Sequence, residues 1–165
     1  MSARTACLFG ILLALGSWSC GGSGAVSSSI NESASFTASL PWNPLQWKVI
    51  ASTVDKQASS MSTLYGNDAA VRYARSHSQQ DYPAGSVLSL VTWTEREDSR
   101  WFGARIPGPV KSVEFLTVAA GAGNQPAYSY ESYEGLSLHK ASSSVGRSPG
   151  SRADYLLSVR AAVMP

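Results

Sequence analysis

Cysteine is scarce in this 165-residue chain: Cys7 and Cys20 are the two present, and none follows Cys20. That absence excludes a disulfide scaffold, a cysteine-ligated zinc or iron–sulfur centre, a cysteine nucleophile and a CxxCH haem attachment from everything after residue 20. Histidine is equally scarce, with only His77 and His139, far apart in the chain. A metal site would need both to converge with a carboxylate, and two exposed loop histidines are the plainer reading. Charged residues make up 15% of the sequence, the formal charge is +2, and no basic block exists, so nucleic acid is not an expected partner. The GxSxG elbow, P-loop, dinucleotide fingerprint and HExxH motif are all absent, and nothing places a Ser–His–Asp triad among the many serines. No catalytic residue is assigned, and no metal site.

What is present begins with an export leader. Arg4 supplies a positive start and Cys7–Leu15 (CLFGILLAL) an apolar run. That run is far short of the roughly 20 residues a bilayer-spanning helix needs. Ser19-Cys20 followed by Gly-Gly-Ser-Gly resembles a bacterial lipoprotein cleavage site, with Cys20 as the lipidated first residue of the mature chain. Ser17 stands where such sites usually carry an aliphatic residue, and an ordinary signal peptide cleaved near Ser19 would leave Cys20 a plain thiol. The reading is a signal peptide over 1–19, a Gly/Ser/Ala-rich flexible tether over 20–40, and a domain over 41–165. The protein is expected in the periplasm or at the outer membrane, its membrane contact being the lipid at Cys20.

The body predicts an α+β, mainly β fold: an antiparallel sheet of about five strands with two helices. Leu45–Thr53 and Ser60–Tyr65 carry strand character, and Ser86–Thr94 (SVLSLVTWT) is apolar on both faces, the mark of a covered central strand. Val87, Val91 and Trp93 share one face, Leu88 and Leu90 the other. Trp101–Ile106 and Ser112–Val118 are expected as separate strands divided by a Pro107-Gly108-Pro109 breaker, and Ala127–Tyr133 as an edge strand. One helix starts at an Asn67 cap with Asp68 in its first turn and an Ala70, Val71, Ala74 stripe; the second covers Ser151–Ala162. Gly66, Asn67, Pro83 and Gly85 are expected to be structural, and Trp93, Trp101, Phe102 and Phe115 to be core or pocket wall. The TEREDSR segment reads as a solvated hairpin turn, Glu131 and Glu134 as an exposed edge and turn, and Arg105 with Glu114 as an exposed cross-strand pair.

The order of segments MSTLYGNDAAVRYAR, DYPAGSVLSLVTWTEREDSRWFGARIPGPVKSVEFLTV and YSYESYEG resembles the cytochrome P-460 domain family over roughly residues 45–135. The ending Arg160–Pro165 (RAAVMP) is similar to that of a branch of short exported members. The resemblance implies a periplasmic, β-rich homodimer. In the cytochrome members it also implies a c-type haem, held by a C-terminal CxxCH and a lysine on the central strand, that oxidises hydroxylamine or handles nitric oxide. This chain departs from that pattern. It has no cysteine for the attachment, no lysine between Lys56 and Lys111, and Leu90 where the cross-linking lysine would stand. No covalent cofactor is expected, and the leading reading is a small-ligand-binding or interaction module whose ligand the sequence does not name. The alternative is a haem bound without covalent attachment, with His139, or less well placed His77, as axial ligand and residual redox chemistry of the family type.

Overall fold

A computed structural model of the chain describes residues 30–36, 38–76, 81–122, 125–141 and 149–162. Alternating side chains build one antiparallel sheet from β1 (Lys48–Asp55), β2 (Ser60–Gly66), β3 (Val87–Glu97), β4 (Arg105–Ala120), β5 (Pro126–Glu134) and β6 (His139–Lys140). The strands lie in chain order, so every neighbour is joined by a direct connection. Helix α1 (Asp68–Arg75) sits between β2 and β3, and α2 (Pro149–Ser158) follows the sheet. The class is α+β and mainly β. The sixth strand, not expected, is two residues long and pairs Tyr133 with Lys140 and Glu134 with His139.

Both faces of the sheet are covered, and β3 shows why. Leu88 and Leu90 join Leu64, Leu116 and Val118 under α1 and α2, which add Ala70, Val71, Ala153 and Leu156. Val91 and Trp93 join Val113, Phe115 and Tyr133 on the opposite face. That second face is closed by the segment before β1: Ala34, Phe36, Ala38, Leu40 and Trp47 pack on it, and the Trp93 Nε1–H donates to the Ala34 carbonyl at 2.8 Å. Residues 30–36 and 38–40, read from composition as tether, are therefore part of the packed body. Their Ser/Ala richness conceals two apolar anchors, Phe36 and Leu40.

Helix α1 begins as its local sequence requires. The Asn67 side chain accepts from the Ala70 N–H at 3.0 Å, capping the first turn. The same oxygen accepts from Val87 N–H, and the Asn67 amide donates to the Gly85 carbonyl at 2.8 Å. One residue thus ties the helix start to the start of β3. Gly66 precedes it because a Cβ there would lie 2.8 Å from Ile50 Cδ1 and 3.0 Å from Ala70 Cβ.

Several expectations are corrected. Pro107-Gly108-Pro109 does not divide two strands: β4 runs through it, with register irregularities opposite Trp93. Strand β5 reaches only to the Ser112–Glu134 pair, so residues 105–111 have one strand neighbour and prolines can sit on the free side. There the Asn31 amide donates to the Pro107 carbonyl at 2.7 Å. Trp93 and Phe115 are buried as expected, but Trp101 and Phe102 are exposed, because they lie in the turn beyond the last β3–β4 pair, Glu97 with Arg105. Helix α2 stops at Ser158; beyond it the Ala162 N–H donates to the Ile50 carbonyl at 2.8 Å on the β1 edge.

Candidate functional site

The sheet face beneath the helices changes character along its strands. Residues at alternate positions share a face, and the register sets them in rows across the sheet. One row is Gly66, Leu88, Leu116, Tyr130; the next is Ala51, Leu64, Leu90, Glu114, Ser132; the third is Thr53, Ser62, Thr92, Ser112, Glu134. The first row belongs to the core under the helices, the second is mixed, and the third is wholly polar. Strands β2, β3 and β4 therefore turn from leucine to serine or threonine where helical cover ends. Above the polar end lies an open groove of about 780 Å³, walled also by Arg152 and Tyr155 of α2 and by Leu136 of the β5–β6 turn.

At the boundary between dry and polar halves sits a buried ion pair. Glu114 and Arg152 side chains are 8% and 14% exposed. The Arg152 guanidinium donates through Nε to Glu114 Oε2 at 2.8 Å and through Nη2 to Oε1, the two-pronged geometry that suits a carboxylate. The Tyr130 hydroxyl donates to the same Oε2 at 2.7 Å. Burial, then the hydrogen bond to Glu114 and its charge, push the Tyr130 phenol up to about 12. Its contact with Glu114 raises Arg152 further above its ordinary range. The arginine also lies over the Tyr155 ring, 4.9 Å from its centre. A carboxylate with three donors, a fixed cation and a phenol that keeps its proton form a rigid polar corner. The raised phenol and guanidinium are not poised to exchange a proton near neutrality.

Glu114 is thus not the exposed partner of Arg105. Both residues belong to β4, and Arg105 instead approaches Glu95 at 3.4 Å and Glu97 at 3.7 Å across the β3–β4 ladder. Glu131 and Glu134 divide: Glu134 lines the groove, whereas Glu131 accepts from Lys140 at 2.6 Å and from the Tyr133 hydroxyl at 3.0 Å on the other face. Those donors hold the Glu131 carboxyl below its usual range. His139 is exposed on β6, in line with the polar row one strand beyond Glu134, and is not among the groove-lining residues. His77 and Cys20 lie outside the described residues. Among the described residues no group of three or more His, Cys, Asp or Glu could hold a metal ion.

The residues missed from the sequence are Arg152 and Tyr130. A signal for their partner existed: Glu114 is the one charge within SVEFLTV, at a position whose cross-strand neighbour is Leu90. A charge in such a place needs a counter-ion from outside the strand.

No curated protein matches the chain. The family model for Cytochrome P460 matches residues 45–144, from the turn before β1 to just beyond β6 and over more than half of the sequence. The chain belongs to the cytochrome P460 family.

Proposed function

We propose that this family member is an exported cell-envelope lipoprotein, held at Cys20 in the periplasm or at the outer membrane, and that its domain has lost covalent haem attachment. The domain serves as a binding module for a small polar ligand in the groove over Ser62, Thr92 and Ser112. The observation that carries the reading is the groove itself: hydroxyl groups across several strands, ended by the Glu114–Arg152–Tyr130 corner. Preformed, concave and lined by a few fixed polar groups, it has the character of a ligand site.

The lining does not fit a haem. A haem needs an apolar slot and an axial donor. Among the described residues that line the groove there is no cysteine, histidine or methionine, and the floor row beyond Leu90 is serine, threonine and glutamate. The family's cross-linking lysine would stand at Leu90, which is buried at the groove's dry edge.

The second reading, a non-covalent haem with hydroxylamine or nitric-oxide redox chemistry, keeps one observation in its favour: His139 continues the polar row at its rim. Titrating the purified protein with haem separates the two. The binding-module reading expects no Soret shift. A shift abolished by His139→Ala would overturn it in favour of haem ligation. Thermal unfolding against sugars, polyols and small carboxylates then tests the groove, since a ligand of the folded state raises the midpoint by mass action. A rise expected in the wild type should be lost in Thr92→Val; no rise with any compound would sink the proposed polar ligand.

A further inference from the structure

Beyond the groove, the turn joining β3 and β4 carries two adjacent aromatic side chains that the fold does not use. Trp101 is 70% exposed and Phe102 is fully exposed. Other exposed apolar residues, such as Val49 and Val54, are single side chains on strand surfaces, which is ordinary. The turn holds the pair outward by its own hydrogen bonds. Asp98 N–H donates to the Ala104 carbonyl at 2.9 Å, Ala104 N–H to the Trp101 carbonyl at 3.0 Å, and Arg100 N–H to the Asp98 carboxylate at 2.8 Å. Gly103 takes the left-handed conformation (φ +77°) that closes the turn.

The chain enters the fold beside this tip. Ile30, the first described residue, is apolar and 68% exposed, and shares a surface hollow with Ser99 and Arg100. The Asn31 side chain pins this start to the hairpin, donating to the Pro107 carbonyl at 2.7 Å and accepting from Arg96 at 3.2 Å. Cys20 lies ten residues earlier, and ten residues reach at most about 35 Å. A lipid at Cys20 would therefore keep the start of the folded body, and the hairpin tip beside it, within about that distance of the bilayer. The tip's charges balance, three acidic (Glu95, Glu97, Asp98) against three basic (Arg96, Arg100, Arg105), with Arg105 near both glutamates. No net charge opposes contact with zwitterionic headgroups. Tryptophan is enriched at that depth, and phenylalanine is among the apolar side chains that bury at the headgroup–acyl boundary.

We infer that Trp101 and Phe102 form a second membrane contact, inserting into the interfacial region of the phospholipid bilayer that holds the chain. This rests on the lipid-anchored reading, so the two are tested apart: the mass of the N-terminal peptide reports whether Cys20 carries lipid. The full chain is added to phosphatidylcholine vesicles with bromine on the acyl chains, and emission of the Trp101→Phe variant is subtracted to isolate Trp101. Trp101 should shift to the blue and lose most of its emission, at low and high salt alike, because the contact is apolar rather than ionic. If Cys20 proves unlipidated, the anchored reading falls, and the tip is judged by the same quenching at high lipid concentration. Unquenched Trp101 on vesicle-bound protein, or no quenching at high lipid, overturns the contact. So does a blue shift without quenching in a chain that runs as a dimer, which would make a second copy the occupant.

Discussion

Ser89 lies in the middle of β3, between Tyr65 and Phe115 on the neighbouring strands, with no exposed surface and a hydroxyl that finds no hydrogen-bond partner among the described residues. A buried hydroxyl without a partner loses its hydration and gains nothing in return. Alanine has nearly the same shape without that group. Ser89→Ala should therefore raise stability by about 1 kcal/mol, seen as a higher urea midpoint with an unchanged slope; a lower midpoint would show that the hydroxyl is satisfied in solution. Glu114 is the opposite case at the same scale. It is buried and charged, yet every donor it needs is present: two from Arg152 and one from Tyr130. A misplaced polar group and a well-served one thus occur on adjacent strands, and burial alone does not tell them apart.

At the scale of elements, the Glu114–Arg152 pair fixes where α2 sits. Ala153 and Leu156 supply the apolar contact with the sheet, and Arg152 adds the directional one. Removing one partner of a buried pair leaves the other uncompensated, so Arg152→Met should cost about 3–5 kcal/mol. Combining it with Glu114→Gln should cost clearly less than the sum of the single changes. A double-mutant cycle by urea denaturation checks this, and strict additivity would mean that the two do not interact. Asn67→Ala should cost about 1–2 kcal/mol, because it removes the α1 cap together with both links to β3. Elements whose causes lie within a few residues were legible in the sequence: α1 from Asn67 and Asp68, and the two faces of β3 from its alternating apolar residues. What depended on distant partners was not. Pro107-Gly108-Pro109 reads as a breaker until one knows that β4 has no neighbour on that side, and Glu114 reads as exposed until α2, 38 residues on, brings Arg152 to it. Trp101 and Phe102 read as core or pocket wall from the expected fold, whereas the β3–β4 register leaves them in the turn.

For the whole molecule, the sheet's two faces respond to pH through their tyrosines. Burial pushes the Tyr82 phenol, which lies in the core under the helices, up to about 12, and Tyr130 reaches the same value. Tyr65 and Tyr133, on the second face, are also raised, mainly by burial. A phenol with a raised pKa holds its proton more tightly in the folded chain than in the unfolded one. From pH 10, the ordinary value, to about 12 the unfolded chain releases protons that the folded chain keeps, so stability falls as pH rises across that window. Below it the contribution is fully present. Unfolding free energy measured between pH 8 and pH 12 should therefore be flat up to about 10 and then decline. Tyr130→Phe should make the decline shallower, since one linked proton is gone, although its stability at neutral pH is lower for want of the bond to Glu114. The absorbance of phenolate supplies a separate check. In the folded wild type a late fraction should ionise near 12, and that fraction should shrink in Tyr130→Phe. If Tyr130 ionised with the exposed tyrosines, the corner that ends the groove would be wet, and the fixed cation–carboxylate–phenol arrangement proposed to orient a ligand there would not exist in solution.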